Sequence, residues 1–190
     1  MIKLGSACMA ALLLAACSLR AGSTVGETSV QPPFRPTATI QDLMDSEIDP
    51  AADFIWGSIG TIITASGLEV RQPRTDEQWS ELRRKAIILV EAANLLMIPE
   101  RRVTSKEFPS DGPGVLSSAD IGRQLASNRA GFNAFASAFQ DVARRELLAI
   151  DRRDVDALSQ AGEALDGACE ACHVANWYPH EIIPQLPDFK

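Results

Sequence analysis

Near the end of the chain, Cys169, Cys172 and His173 stand in a C-x-x-C-H run, Cys169-Glu170-Ala171-Cys172-His173. Two thiols and an imidazole at this spacing suit one chemistry above others. The thiols add across two vinyl groups of a porphyrin and a ring nitrogen of the imidazole ligates the iron, which is the attachment of a c-type haem. On a helix, at about 100° per residue, the three side chains fall within roughly a 100° arc and so face one porphyrin. With four Cys and two His in 190 residues, such a run arises by accident in about one chain in a thousand.

Two other chemistries use the same residue types. A zinc half-site needs two more ligands at similar spacing, and the remaining Cys and His are Cys8, Cys17 and His180. A thioredoxin-like redox pair opens a helix after a strand, whereas this pair lies late in a helical stretch. Haem is the reading that uses all three residues.

The N-terminus specifies a compartment. Residues 1–16 carry one charge, Lys3, before the apolar run Met9 to Ala16, which is too short to span a bilayer and reads as a secretory signal. Leu14-Ala15-Ala16-Cys17 resembles the bacterial lipobox, in which the Cys becomes residue one and is acylated; an ordinary cleavage site that leaves Cys17 as a spare thiol is the alternative. By resemblance to bacterial lipoproteins, Ser18 after the Cys favours the outer membrane. Every cysteine then has an assignment: Cys8 leaves with the signal, Cys17 is acylated, and Cys169 and Cys172 hold the haem.

Residues 17–38 carry the lipidated Cys and a tether with Gly22, Gly26, Pro32, Pro33 and Pro36 and no apolar periodicity. Residues 39–190 leave about 150 residues for one domain. With 25 acidic against 18 basic residues and a net charge of −7, nucleic acid is not an expected partner.

Past the tether the apolar period is helical. Trp79, Leu82, Ala86, Leu89, Ala93 and Leu96 alternate three and four apart after a Thr75-x-x-Gln78 capping box. Ile121, Leu125, Asn128, Phe132, Phe135, Phe139 and Val142 repeat the spacing after Ser117-Ser118, and predict one helix. Val155, Leu158, Gly162, Leu165, Cys169 and Cys172 make the last, with Asp154 as its N-cap. The first region is less regular. Ile40, Leu43, Met44 and Ile48 form a stripe, Asp49-Pro50 predicts a kink with Asp49 capping, and Ile55, Trp56, Ile59, Ile62 and Ile63 resume the helix. No stretch alternates with period two for long enough to predict a sheet. The expectation is an all-α, antiparallel four-helix bundle with the haem in its core, near the C-terminal end of the last helix.

Four helices with a C-x-x-C-H run near the end of the last resemble the class II c-type cytochromes, the cytochrome c′ family, over residues 39–177. The resemblance implies that Cys169 and Cys172 hold the haem and that His173 is the proximal iron ligand. It also implies that the first helix supplies the distal residue, a methionine in low-spin relatives, which Met44 matches by position. In high-spin relatives an apolar residue stands there and the iron is open. A homodimer is a further implication. After His173 this chain has Val174-Ala175-Asn176-Trp177-Tyr178, without the basic residue usual in the family. Arg101 and Arg102 are candidates for pairing with haem propionates, the loop 99–117 and the tail 179–190 for covering the haem edge or binding a partner. Met97 and His180 are alternative sixth ligands. Met97 at a helix end is expected to fill the core, and His180 to be exposed.

The expected function is one-electron transfer by a lipid-anchored periplasmic haem protein with periplasmic or membrane redox partners. Capture of NO or CO at an open iron is the alternative, and a metal-free bundle lipoprotein a third reading. No acid, base or nucleophile constellation stands beside the motif, so an enzyme is not expected.

Overall fold

The computed structural model describes residues 34–180. The signal 1–16, Cys17 and most of the tether lie outside the described residues, as does the tail from 181. The described part is mostly helical: α1 (Ile40–Leu43), a π-helical turn (Met44–Ile48), α2 (Asp49–Ser58), β1 (Gly60–Thr64), β2 (Gly67–Arg71), α3 (Asp76–Leu96), α4 (Ser118–Ser127), α5 (Arg129–Arg152) and α6 (Val155–Asn176). None of these helices is long and apolar enough to cross a membrane.

Each long helix begins where a side chain satisfies a first-turn N–H that has no partner within the helix. Thr75 and Gln78 form the expected capping box on α3, with Gln78 N donating to Thr75 Oγ1 at 3.3 Å. Asp154 accepts from Ala157 N at 2.9 Å and starts α6. Arg153, in the left-handed region at φ 54°, ends α5. The link between α5 and α6 is thus two residues long, and the two helices pack against each other as an antiparallel pair. On its other side α5 packs along α3, against which α2 also lies.

The core is one cluster drawn from these helices. Ile55, Leu82, Leu89, Leu158 and Leu165 are its largest fully buried apolar side chains. Apolar burial of this kind is worth about 1.5–3 kcal/mol per large side chain, so the seams read from the sequence are what hold the helices together.

Three local expectations are corrected. First, the chain is not free of strands: the helix ends at Ser58, and Ile62 and Ile63 lie in β1, paired antiparallel with β2 in the register Ile62↔Glu69 and Ile63↔Leu68. Glycines at φ 123° (Gly60) and 124° (Gly67) bound the β-branched run Thr61 to Thr64, a conformation and a composition that oppose helix. Secondly, the seam from Ile121 to Val142 belongs to two helices. Asn128, at φ −135° and ψ 54°, separates them and accepts from Gly131 N at 3.1 Å as the cap of α5. Thirdly, Asp49 does not cap. Position N-cap of α2 is Ile48, without a side-chain bond, and the disturbance at Pro50 takes the form of the π-turn. Proline has no N–H to offer the carbonyl four residues back, at Ser46, and its ring crowds that group. The Asp49 N–H therefore reaches one residue further, to Met44 O.

The loop 99–117 is tied to both ends of this frame. Ile40 N and Gln41 N donate to Arg102 O and Val103 O, both at 2.9 Å, which satisfies the start of α1. Leu116 N donates to Trp177 O at 2.8 Å, just past α6.

Candidate functional site

One cavity of about 290 Å³ gathers most of the residues singled out by their chemistry. Met44 from the π-turn and Cys169, Cys172 and His173 from α6 all line it. α6 delivers its three groups by helical spacing alone. The interrupted first helix delivers Met44, Ile48, Ala52 and Trp56 at steps of four residues, and α5 adds Phe132, Phe135 and Phe139. Phe132 and Phe139 are also buried members of the core, so the phenylalanine stripe is both core and cavity wall.

The thiols are half-buried and unpaired with one another. Burial pushes Cys169 up to about 12, and the nearby acids Asp166 and Asp49 add to the shift, followed by Cys172 and Glu146. Burial also raises Cys172, opposed by a hydrogen bond from the Asn176 amide, whose Nδ2 lies 3.7 Å from the Cys172 sulfur. Both groups are therefore neutral thiols at pH 7. A redox pair works through a thiolate stabilised at a helix N-terminus, whereas these cysteines sit toward the C-terminal end of a 22-residue helix. Among the described residues, no group of three or more His, Cys, Asp and Glu could hold a metal ion by itself.

His173 is held by aromatic edges. Its ring meets Trp177 edge-on at 5.5 Å between centroids, and Tyr178 at 6.1 Å and 53°. These rings are in turn fixed by the helix end: Trp177 N and Tyr178 N both donate to His173 O, at 2.7 and 3.2 Å, and Tyr178 Oη donates to Glu170 at 2.7 Å. Gln124 of α4 donates to Ala175 O. The region after His173 thus positions the imidazole by packing, where a basic neighbour is absent.

The cavity's donor set fits the group implied by the motif. A haem needs an apolar slot for its macrocycle, two thiols on one wall and an imidazole beside them, and this slot is walled by Ile48, Ala52, Trp56, Phe132, Phe139 and Ala168. Its rim is acidic. Asp49, Asp53, Asp166 and Glu170 are exposed lining residues, and among the described residues no Lys or Arg lines it. At Asp49 burial raises the carboxyl, opposed by the electrostatic effect of His173 and reinforced by Asp53 and Asp45.

Other candidates go elsewhere. Arg101 is a buried clamp, its Nε donating to Leu95 O at 2.9 Å and its Nη1 to Ala38 O. It joins the end of α3 to the start of α1, and Arg102 is exposed. Met97 ends α3, in contact with Ser137 Oγ at 3.5 Å, and His180 is exposed; neither lines the cavity. Cys17 lies outside the described residues. Three further lining residues are Asp49, expected as a cap, Trp56, expected on the apolar stripe of the first helix, and Asp166, which no sequence motif singles out. The step of four from Met44 through Ile48 and Ala52 to Trp56, unbroken across Pro50, is the signal that marks Trp56.

No family model and no curated protein matches the chain. Among solved structures the chain is similar to one titled as the nitric oxide complex of a mutant of cytochrome c prime from Alcaligenes xylosoxidans. The identity is 18%, over 74% of this chain and 96% of that chain, with a TM-score of 0.41.

Proposed function

We propose that the chain is a one-electron carrier of the cytochrome c′ kind, a four-helix haem bundle whose helical segments are α1–α2, α3, α5 and α6. The observation that carries this reading is the convergence of Cys169, Cys172, His173 and Met44 on one apolar cavity. When bound, the haem supplies an iron centre that cycles by one electron. Cys169 and Cys172 would hold it through thioethers, from one wall of the cavity. His173, steadied by Trp177 and Tyr178, is the proximal ligand. Met44, which lines the cavity from the other helix, would offer its thioether as a further iron ligand, which suits electron transfer because little has to rearrange. The phenylalanines keep water out, and the acidic rim favours the more positive, oxidised form.

The absorption spectrum of the purified haem-loaded protein tests this. Wild type should be low-spin, with the red charge-transfer band of Met-ligated ferric haem. Met44→Ala should be high-spin, lack that band and bind CO. A wild-type protein that is already five-coordinate and takes up CO would replace electron transfer by capture of a diatomic gas.

The signal at 1–16 and the lipobox at Cys17 support export to the periplasm and a lipid anchor, on the outer membrane given Ser18. The tether would let the haem domain reach soluble or membrane-bound redox partners. Cys17→Ser should move the protein from the membrane fraction to the soluble periplasmic fraction. A wild type that is already soluble would remove the anchor.

A further inference from the structure

Two helical turns along α5 from Phe139, on the same face, lies a carboxylate with no visible purpose in holding the fold. Glu146 is 0% exposed, and neither of its oxygens has a hydrogen-bond partner among the described residues. Seven residues of helix place it about 10 Å along the axis from the cavity layer. Its neighbours lead back to that layer. A Cβ on Gly162 of α6 would stand 3.3 Å from Trp56 Cδ1 and 3.9 Å from Glu146 Oε1, so the missing side chain makes room for the Trp56 ring, and Glu146 lies in ordinary contact distance of the same spot. Trp56, whose Nε1 donates to Gly162 O at 3.1 Å, lines the cavity itself.

An unpaired buried carboxylate costs several kcal/mol, and a protein that only needed to fill this space would carry Leu or Met there. We propose that Glu146 is a proton-binding site coupled to the haem iron: when the iron accepts one electron from a one-electron donor, the Glu146 carboxylate accepts one proton from solvent, and it releases that proton on reoxidation. The inference rests on the haem reading above. Reduction removes one positive charge from the centre, so less field favours the carboxylate and its proton affinity rises. One electron and one proton enter together, and the net charge of the core is unchanged.

Burial alone already pushes Glu146 up to about 7, so a modest change in field alters its occupancy near neutral pH. The titratable group that faces it from α6 is Cys169, which loses its proton for good once a thioether forms. Asp166 from α6 and Asp49 from α2 act on Cys169. From α2 itself Trp56 is the neighbour, and the core-facing side of α3 is apolar, from Trp79 through Leu82, Ala86 and Leu89 to Ala93.

Redox titration of the haem-loaded protein at a series of pH values from about 5 to 9 tests the coupling. In wild type the midpoint potential should fall with rising pH through the neutral range, by at most ~59 mV for each tenfold drop in protons. In Glu146→Gln, and in Glu146→Met should the amide fail to fold, that slope should disappear. A reduced-minus-oxidised infrared spectrum of wild type gives a direct reading. It should gain a protonated-carboxyl band that moves in D₂O and is absent from the variant. A haem-loaded wild type with a level potential, or a slope and band that survive removal of Glu146, overturns the proposal and leaves the haem reading intact. A chain that carries no covalent haem overturns both.

Discussion

The two stretches of helix that build the cavity are made by opposite means. α6 runs unbroken from its Asp154 cap through 22 residues, and Cys169, Cys172 and His173 share a face because helical geometry puts them there. The stretch from Ile40 to Ser58 reaches the same cavity only by breaking the α-helical ladder, with the π-turn Met44–Ile48 ahead of Pro50. One extra residue in a turn rotates everything before it relative to everything after it. Spacing alone therefore positions Cys169, Cys172 and His173, while Met44 depends on the π-turn ahead of Pro50.

The largest effect should come from α6. Cys169→Ala or Cys172→Ala removes one of two thioethers, and acid–acetone extraction should then weaken haem retention relative to wild type, where haem should stay entirely with the protein. Free extraction of haem from wild type would end the argument that α6 is an attachment helix.

Where the two stretches meet, at Gly162 and Trp56, Glu146 makes stability depend on pH. Its folded value is raised from 4.5 to about 7, so the folded state holds the proton more tightly than the unfolded chain. The associated stability is fully present below about pH 4.5 and is lost as pH rises through about 7, a change on the order of 3 kcal/mol. Denaturant titrations at several pH values should show that decline in wild type and a flatter profile in Glu146→Gln. An equal decline in both would assign it to other groups.

The smallest effect probes the first helix directly. Pro50→Ala restores an N–H that can bond to Ser46 O, and an α-helical ladder then competes with the π-turn. Overall stability should change by no more than about 1 kcal/mol. The spin state of the bound haem should nonetheless shift toward high-spin as Met44 turns from the cavity. An unchanged spectrum would mean that Met44 is placed by core packing and not by the π-turn.

Much of the frame was legible because it depends on neighbours in sequence. The Thr75–Gln78 box, the Asp154 cap and the seams of α3 and α6 are set by side chains three and four residues apart. The hairpin was legible too, in Gly60 and Gly67 around β-branched residues, and was missed because Ile59, Ile62 and Ile63 also satisfy a helical spacing. Asn128 was placed on a seam although its type favours a cap, and both roles are compatible with the pattern.

The chemistry of the motif, the acidic balance and the order of the helices follow from residue types and short spacings, which act before any long-range contact forms. Which wall Met44 joins, why His173 is held by Trp177 and Tyr178, and why Arg101 is spent on Leu95 and Ala38 carbonyls were decided only when distant segments packed. The burial of Glu146 belongs to the same class. A glutamate on a helix is ordinarily solvated, and this one lost its water only when α6, with Gly162 beside it, packed along α5.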